Sequence, residues 1–180
     1  DWAAVAFDLP APTFRHVKFD AYKATRKKMP DEFSVQIPYA RECVKALGLA
    51  VIEAQGFEAD DIIGTIANPQ GLMSDVRDGV FTYILTGDRD SFQLINSFTH
   101  VLLAGTGETA EYGEEEFRDK FGVEPSQFVD VKALMGDASD NIPGVPGIGE
   151  KTAIKLIAER GSLDDVFADI ATLSVGKSAK

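Results

Sequence analysis

Phe81-Thr-Tyr-Ile-Leu-Thr-Gly-Asp-Arg-Asp90 is a short apolar run with aromatic and β-branched members that stops at Gly87 and delivers an acid at Asp88. That composition predicts a strand over Phe81–Thr86. Ala50–Ala54 and Thr99–Ala104 have the same character, and Trp2–Asp8 reads as a buried strand that also ends on an acid. Helical stretches separate them, and strands alternating with helices imply a parallel sheet covered on both faces. Open α/β sheets place their sites at the carboxyl ends of the strands, where Asp8 and Asp88 would emerge.

Working outward, Asp31 after Met29-Pro30 predicts an N-cap for a helix running to about Leu47, with a kink or restart at Pro38. Glu58–Ala67 has a helical pattern that Asn68-Pro69-Gln70-Gly71 breaks as a loop before Asp75–Gly79 leads into the strand at Phe81. Beyond Ala104 the character changes. Gly113–Gly122, Pro125–Gly136, Gly149–Arg160 and Ser162–Ile170 all read as helices, which places a boundary near residue 110 and leaves a frayed tail after Leu173.

At 180 residues and 44% hydrophobic content, one substantial core is expected. Apolar runs such as Ala3–Phe7 and Val101–Ala104 fall far short of the roughly 20 residues that cross a bilayer, so no membrane partner is expected. The lone Cys43 cannot form an internal disulfide and reads as a small core residue, which fits a reducing cytoplasm. A net charge of −11 argues against nucleic acid in the sum, but local distribution matters more. Between Arg15 and Lys28 six basic residues stand against the single acid Asp20, with Phe14, Phe19 and Tyr22 interleaved. This is either a nucleic-acid patch or a solvated charged segment.

Four segments carry acids toward one place in such an architecture: Asp8, the Glu58/Asp60/Asp61 run, the Asp88/Asp90 pair and the Asp137/Asp140 pair. Asp137 and Asp140 have the i, i+3 spacing of one side of a turn, whereas Glu58 and Asp60 point one way only if they straddle a helix start. Singly, acids at a helix start are more often caps than ligands, and Asp20, Asp75 and Glu114–Glu116 read as solvated surface. Together the eight carboxylates would repel one another without a compensating cation. An oxygen-only donor set favours Mg²⁺ or Mn²⁺ over zinc, and two such ions can activate water for phosphodiester displacement.

The stretch Asn141-Ile-Pro-Gly-Val-Pro-Gly-Ile-Gly-Glu-Lys-Thr152 sets Gly144, Gly147 and Gly149 just before a helix, with Lys151 and Lys155 following. Its backbone N–H groups can hold a phosphate without reading the base, or the element is a tight helix–helix turn. The glycine spacing differs from mononucleotide loops.

In this order, FDLPAPTFRHVKFDAYKATR, GFEADDIIGTIA, ILTGDRDSFQLI and LMGDASDNIPGVPGIGEKTA resemble the 5′ nuclease domain of the bacterial DNA polymerase I type, over nearly the whole chain. The last motif is the most specific. The resemblance implies an α/β, parallel-sheet (PIN-like) core over residues 1–110, with an arch over 14–30. A helical helix-hairpin-helix (helix-three-turn-helix) region follows over 111–180, its hairpin at 141–150. It implies a 5′-3′ exonuclease or flap endonuclease of replication and repair with two Mg²⁺ or Mn²⁺. Asp8, Glu58 and Asp60 would serve the first ion and Asp88, Asp90 and Asp140 the second, with Asp61 and Asp137 behind them. Lys23 and Arg26 would meet the scissile phosphate and Tyr22 would stack on a base. Arg15, Lys27, Gly144, Gly147, Gly149, Lys151 and Thr152 would contact DNA, and hairpin carbonyls would hold K⁺.

The expected partner is DNA with a 5′ flap or 5′ end, with a fused or associated polymerase, and the expected state is a cytoplasmic, nucleoid-associated monomer. Relatives carry an upstream strand with a further metal-binding Asp and run on past the hairpin helices. Those parts are expected to be missing here, and Thr25 replaces the more usual Asn or His. A catalytically impaired DNA-binding fragment is therefore the alternative, and a carboxylate-metal phosphatase with Asp8 as nucleophile is a third reading, opposed by Pro10.

Overall fold

A computed structural model describes residues 2–68 and 80–170. The chain forms two compact units, Asp1–Ile66 with Ser139–Asn141, and Ala67–Ala138 with Ile142–Lys180. The division falls well before residue 110, because the later strands pack with the helices that follow them. The expectations for Pro69–Gly71, for Asp75–Gly79 and for the tail after Leu173 lie outside the described residues.

In the first unit β1 (Ala4–Ala6) pairs in parallel with β2 (Ala50–Ile52), Val5 opposite Val51, and Phe7 N–H extends the ladder to the Ile52 carbonyl at 3.0 Å. The strand is shorter than Trp2–Asp8, and Trp2 is 85% exposed. Between the strands run α1 (Phe14–Lys18), α2 (Asp31–Ser34) and α3 (Ile37–Ala46). Asp31 is the first helical residue of α2 with Pro30 in the capping place, a correction to the expected N-cap. Pro38 sits at the start of α3, where its missing N–H costs no helical hydrogen bond, so the expected single helix restarts there. Cys43 on α3 is exposed, contrary to the expected core position. The helix α4 (Ala59–Ala67) follows β2. Among the described residues of this unit, Tyr22, Ile62, Thr13 and Glu58 are buried.

In the second unit β3 (Thr82–Thr86) pairs in parallel with β4 (Thr99–Ala104), Ile84 opposite Val101. A strand not foreseen in the sequence, β5 (Thr109–Tyr112), then returns antiparallel to β4, so this sheet is mixed. After β5 come α5 (Glu114–Phe121), a 3₁₀ turn (Pro125–Gln127), α6 (Phe128–Met135), α7 (Glu150–Arg160) and α8 (Leu163–Ala168). The expected single helix from Pro125 is thus a 3₁₀ turn and a separate α-helix.

Phe92 is fully buried among the rings of Tyr112, Phe117, Phe121 and Phe128, with centroid separations of 4.8 to 5.8 Å. Phe92 belongs to the 3₁₀ helix Arg89–Leu94 that follows β3, so this aromatic cluster fixes the segment carrying Asp88 and Asp90.

Candidate active site: paired carboxylates and basic side chains

In the first unit Asp8 follows β1, and its Oδ1 accepts the Ala59 N–H at 2.7 Å, the first amide of α4. A short acid there satisfies an orphan donor and meets the positive end of the helix. Glu58 stands one residue before α4 and Asp60 inside its first turn, so the pair straddles the helix start as its spacing requires. Glu58 is 9% exposed. Its carboxylate accepts from Lys23 Nζ at 2.6 Å on Oε1 and from the Tyr22 hydroxyl at 2.8 Å on Oε2.

The segment 139–141 meets the same basic stretch. Asp140 lies on Arg26 through Oδ1 and 3.0 Å from the Tyr22 hydroxyl through Oδ2, with Lys23 Nζ 3.9 Å away. The Lys23 N–H donates to the Asp140 carbonyl at 2.9 Å and Asn141 Nδ2 to the Ala21 carbonyl at 2.7 Å. Lys23 itself has a φ of 55°, an uncommon conformation for a side-chain-bearing residue.

Tyr22 is 5% exposed, so its ring is covered, whereas the base stacking that the family resemblance implies calls for an open face. Burial, then the hydrogen bonds to Glu58 and Asp140, push its phenol well above the ordinary tyrosine range. Arg15, expected on DNA, instead grips Asp61 with both terminal nitrogens at 2.7 and 2.8 Å, because a guanidinium matches a carboxylate fork. Asp61 Oδ2 also accepts the Glu58 N–H at 2.8 Å. The Arg15 hydrogen bond holds the Asp61 carboxyl below the usual range against an opposing effect of burial. Lys27 is exposed.

In the second unit Asp88 caps the 3₁₀ helix, its Oδ1 accepting the Asp90 N–H at 2.9 Å. Lys132, on α6, joins the remaining two acids, with Nζ 2.8 Å from Asp90 Oδ1 and 2.6 Å from Asp137 Oδ2. Burial raises the Asp90 carboxyl, with Asp88 and Asp137 adding to the rise and Lys132 opposing it. For Lys132 burial is the largest influence and works downward, but Asp137 and Asp90 outweigh it and the ammonium is stabilised. Sequence reading passed over Lys132. Its five-residue spacing from Asp137 is not a helical one, and the pair forms only because the chain turns back at Gly136.

The hairpin glycines divide by physical role. Val145-Pro146-Gly147-Ile148 is a turn closed by the Ile148 N–H on the Val145 carbonyl at 3.0 Å, with Gly147 at φ 83° as a type II turn after proline demands. Gly149 caps α7 in open space. Gly144 packs against backbone, since a Cβ there would lie 2.3 Å from Met135 C, so close approach requires glycine at this position. Lys151 and Thr152, in the first turn of α7, are exposed.

Among the described residues no three His, Cys, Asp or Glu side chains stand together with metal-ligand spacing. The donor chemistry nonetheless fits a hard cation, being carboxylate oxygen throughout. Among the described residues no helix is long and apolar enough to cross a membrane.

Residues 1–122 match the family model of the 5′-3′ exonuclease N-terminal resolvase-like domain, and residues 123–180 that of the 5′-3′ exonuclease C-terminal SAM fold. The thermostable DNA polymerase I of Thermus filiformis is 46% identical over 167 residues, which are 92% of this chain and 19% of that protein. A 5′-3′ exonuclease of Mycoplasma pneumoniae is 42% identical over 177 residues, 97% of this chain and 59% of that protein. The chain therefore spans about a fifth of the polymerase and under two thirds of the exonuclease. A bacteriophage T5 flap endonuclease, solved with DNA and metal ions, shares the fold with a TM-score of 0.79 at 23% identity, over 99% of this chain and 67% of that one. The two family models account for the sequence from end to end, and the chain belongs to the 5′-3′ exonuclease family.

Proposed function

We propose that the chain is the nuclease portion of a structure-specific 5′-3′ exonuclease and flap endonuclease, which hydrolyses DNA phosphodiesters at 5′ ends and flaps in replication and repair. One observation carries this reading: Lys23 and Arg26 lie directly on the carboxylates of Glu58 and Asp140. A phosphodiester brought to that place meets cations able to offset charge on its oxygens beside acids able to hold metal.

The candidate ligands for two Mg²⁺ or Mn²⁺ ions are Asp8, Glu58, Asp60 and Asp140 of the first unit and Asp88 and Asp90 of the second. When bound, such ions supply a water of lowered pKa and stabilise the leaving oxygen. Asp61, locked by Arg15, orients the Glu58 amide. Asp137 shares Lys132 with Asp90.

Lys27, Gly147, Gly149, Lys151 and Thr152 serve the DNA backbone, the last three at the N-terminus of α7 where free amides suit a phosphate, and hairpin carbonyls hold K⁺. The polymerase relatives support a fused or associated polymerase, and the exonuclease relative supports a separate nuclease. A monomer acting on chromosomal DNA in the cytoplasm suits either.

Incubating the chain with a 5′-labelled flap duplex tests the reading. Short labelled products that need Mg²⁺ or Mn²⁺ and vanish with EDTA support it. Retained DNA binding with no product in either metal makes the chain a binding module and overturns it.

A further inference from the structure

We propose that Lys132 is a positioning residue for the acids of the second unit: it is the internal cation that holds Asp90 and Asp137, and a divalent ion must compete with it for their oxygens. The metal half of this inference rests on the proposed function.

Three separate segments meet at one nitrogen. Asp90 comes from the 3₁₀ helix that Phe92 anchors in the aromatic cluster. Lys132 comes from the middle of α6, and Asp137 from beyond its end. At Gly136 the chain leaves the helix with φ 73°, a conformation suited to glycine, and Asp137 returns toward the lysine five residues before it.

Lys132 keeps 24% of its side chain exposed, Asp137 17% and Asp90 37%, so this differs from a surface pair of two freely moving side chains. Two partly buried carboxylates within 2.8 Å of one nitrogen would repel each other if the ammonium were removed. The same ammonium lowers the attraction of the two acids for a second cation. Removing it therefore moves two observables in opposite directions: the metal-free fold weakens and metal binding tightens. A merely structural lesion would loosen the acids and weaken both.

The test uses the chain with Mn²⁺ as probe, in wild type, Lys132→Met, Lys132→Gln, Lys132→Arg and Asp90→Asn. Thermal midpoints are read in EDTA, and Mn²⁺ affinity from the electron paramagnetic resonance of the free ion. Lys132→Met and Lys132→Gln should lower the EDTA midpoint by about 4 °C and tighten Mn²⁺ binding about tenfold. Lys132→Arg, which keeps the charge and can reach both acids, should stay near wild type in each.

Mn²⁺ affinity that falls or stays unchanged in Lys132→Gln overturns the competition. An unchanged EDTA midpoint overturns the hold on Asp90 and Asp137. Mn²⁺ binding that Asp90→Asn leaves untouched overturns the metal-ligand reading of Asp90 instead, and the EDTA midpoints of the lysine variants separate that failure from the first.

Discussion

The Tyr22 hydroxyl donates to Glu58 at 2.8 Å and stands 3.0 Å from Asp140, so one phenol links acids that lie 82 residues apart in sequence. A hydroxyl has a single proton, and Lys23 on the other Glu58 oxygen provides the remaining positive character. Tyr22→Phe removes a donor from a buried carboxylate and should cost about 1–3 kcal/mol in urea unfolding at pH 7.

The same hydroxyl has a pH signature. Because its folded pKa is raised, its contribution is fully present below the unfolded value of about 10 and is lost as pH rises through the folded value. The stability gap between wild type and Tyr22→Phe should therefore be constant from pH 7 to about 10 and shrink only above it. Urea midpoints across that range measure it, and a gap already closing at pH 8 contradicts the assignment.

Asp61 behaves with the opposite sign. Its folded pKa is depressed by Arg15, so its contribution is present above the unfolded value of about 3.9 and is lost as pH falls through the folded one. Asp61→Asn should be less stable than wild type by about 1.5–3 kcal/mol at pH 7. It should converge with wild type on acidification, and unfolding series at pH 7, 5, 4 and 3 read that convergence.

The hairpin glycines should respond unequally to alanine. Gly144→Ala drives a methyl against Met135 and Gly136 backbone and should cost more than about 3 kcal/mol. Gly147→Ala keeps a positive φ of 83°, and about 1 kcal/mol is expected. Gly149→Ala has neither obstacle and should cost less than about 1 kcal/mol. Thermal melts of the three variants give the order.

Phe92→Ala empties the centre of the aromatic cluster and should cost about 3–5 kcal/mol. Chemical unfolding checks the size of the effect.

What the sequence disclosed was chiefly local. β3 was legible because its causes lie within a few residues. Asp8 and Glu58 were legible as acids at the end of a strand and the start of a helix. Tyr22 was misplaced because its burial comes from Glu58 and Asp140, 36 and 118 residues away. Arg15 read as a free cation because its partner Asp61 lies 46 residues on. Gly144 owes its role to Gly136, and Lys132 meets Asp90 only through the tertiary fold. Thr109–Tyr112 has too weak an apolar alternation to announce β5 without its pairing to β4.

The most direct measurement of carboxylate-dependent nuclease chemistry is 5′-flap cleavage by Asp88→Ala beside wild type in Mg²⁺, with flap binding followed by fluorescence anisotropy on the same preparations. Asp88 is exposed and caps a short 3₁₀ helix, so its loss should spare the fold. Cleavage should drop by about a hundredfold or more while DNA binding is retained. Cleavage by Asp88→Ala at the wild-type rate would contradict the proposed role of these acids.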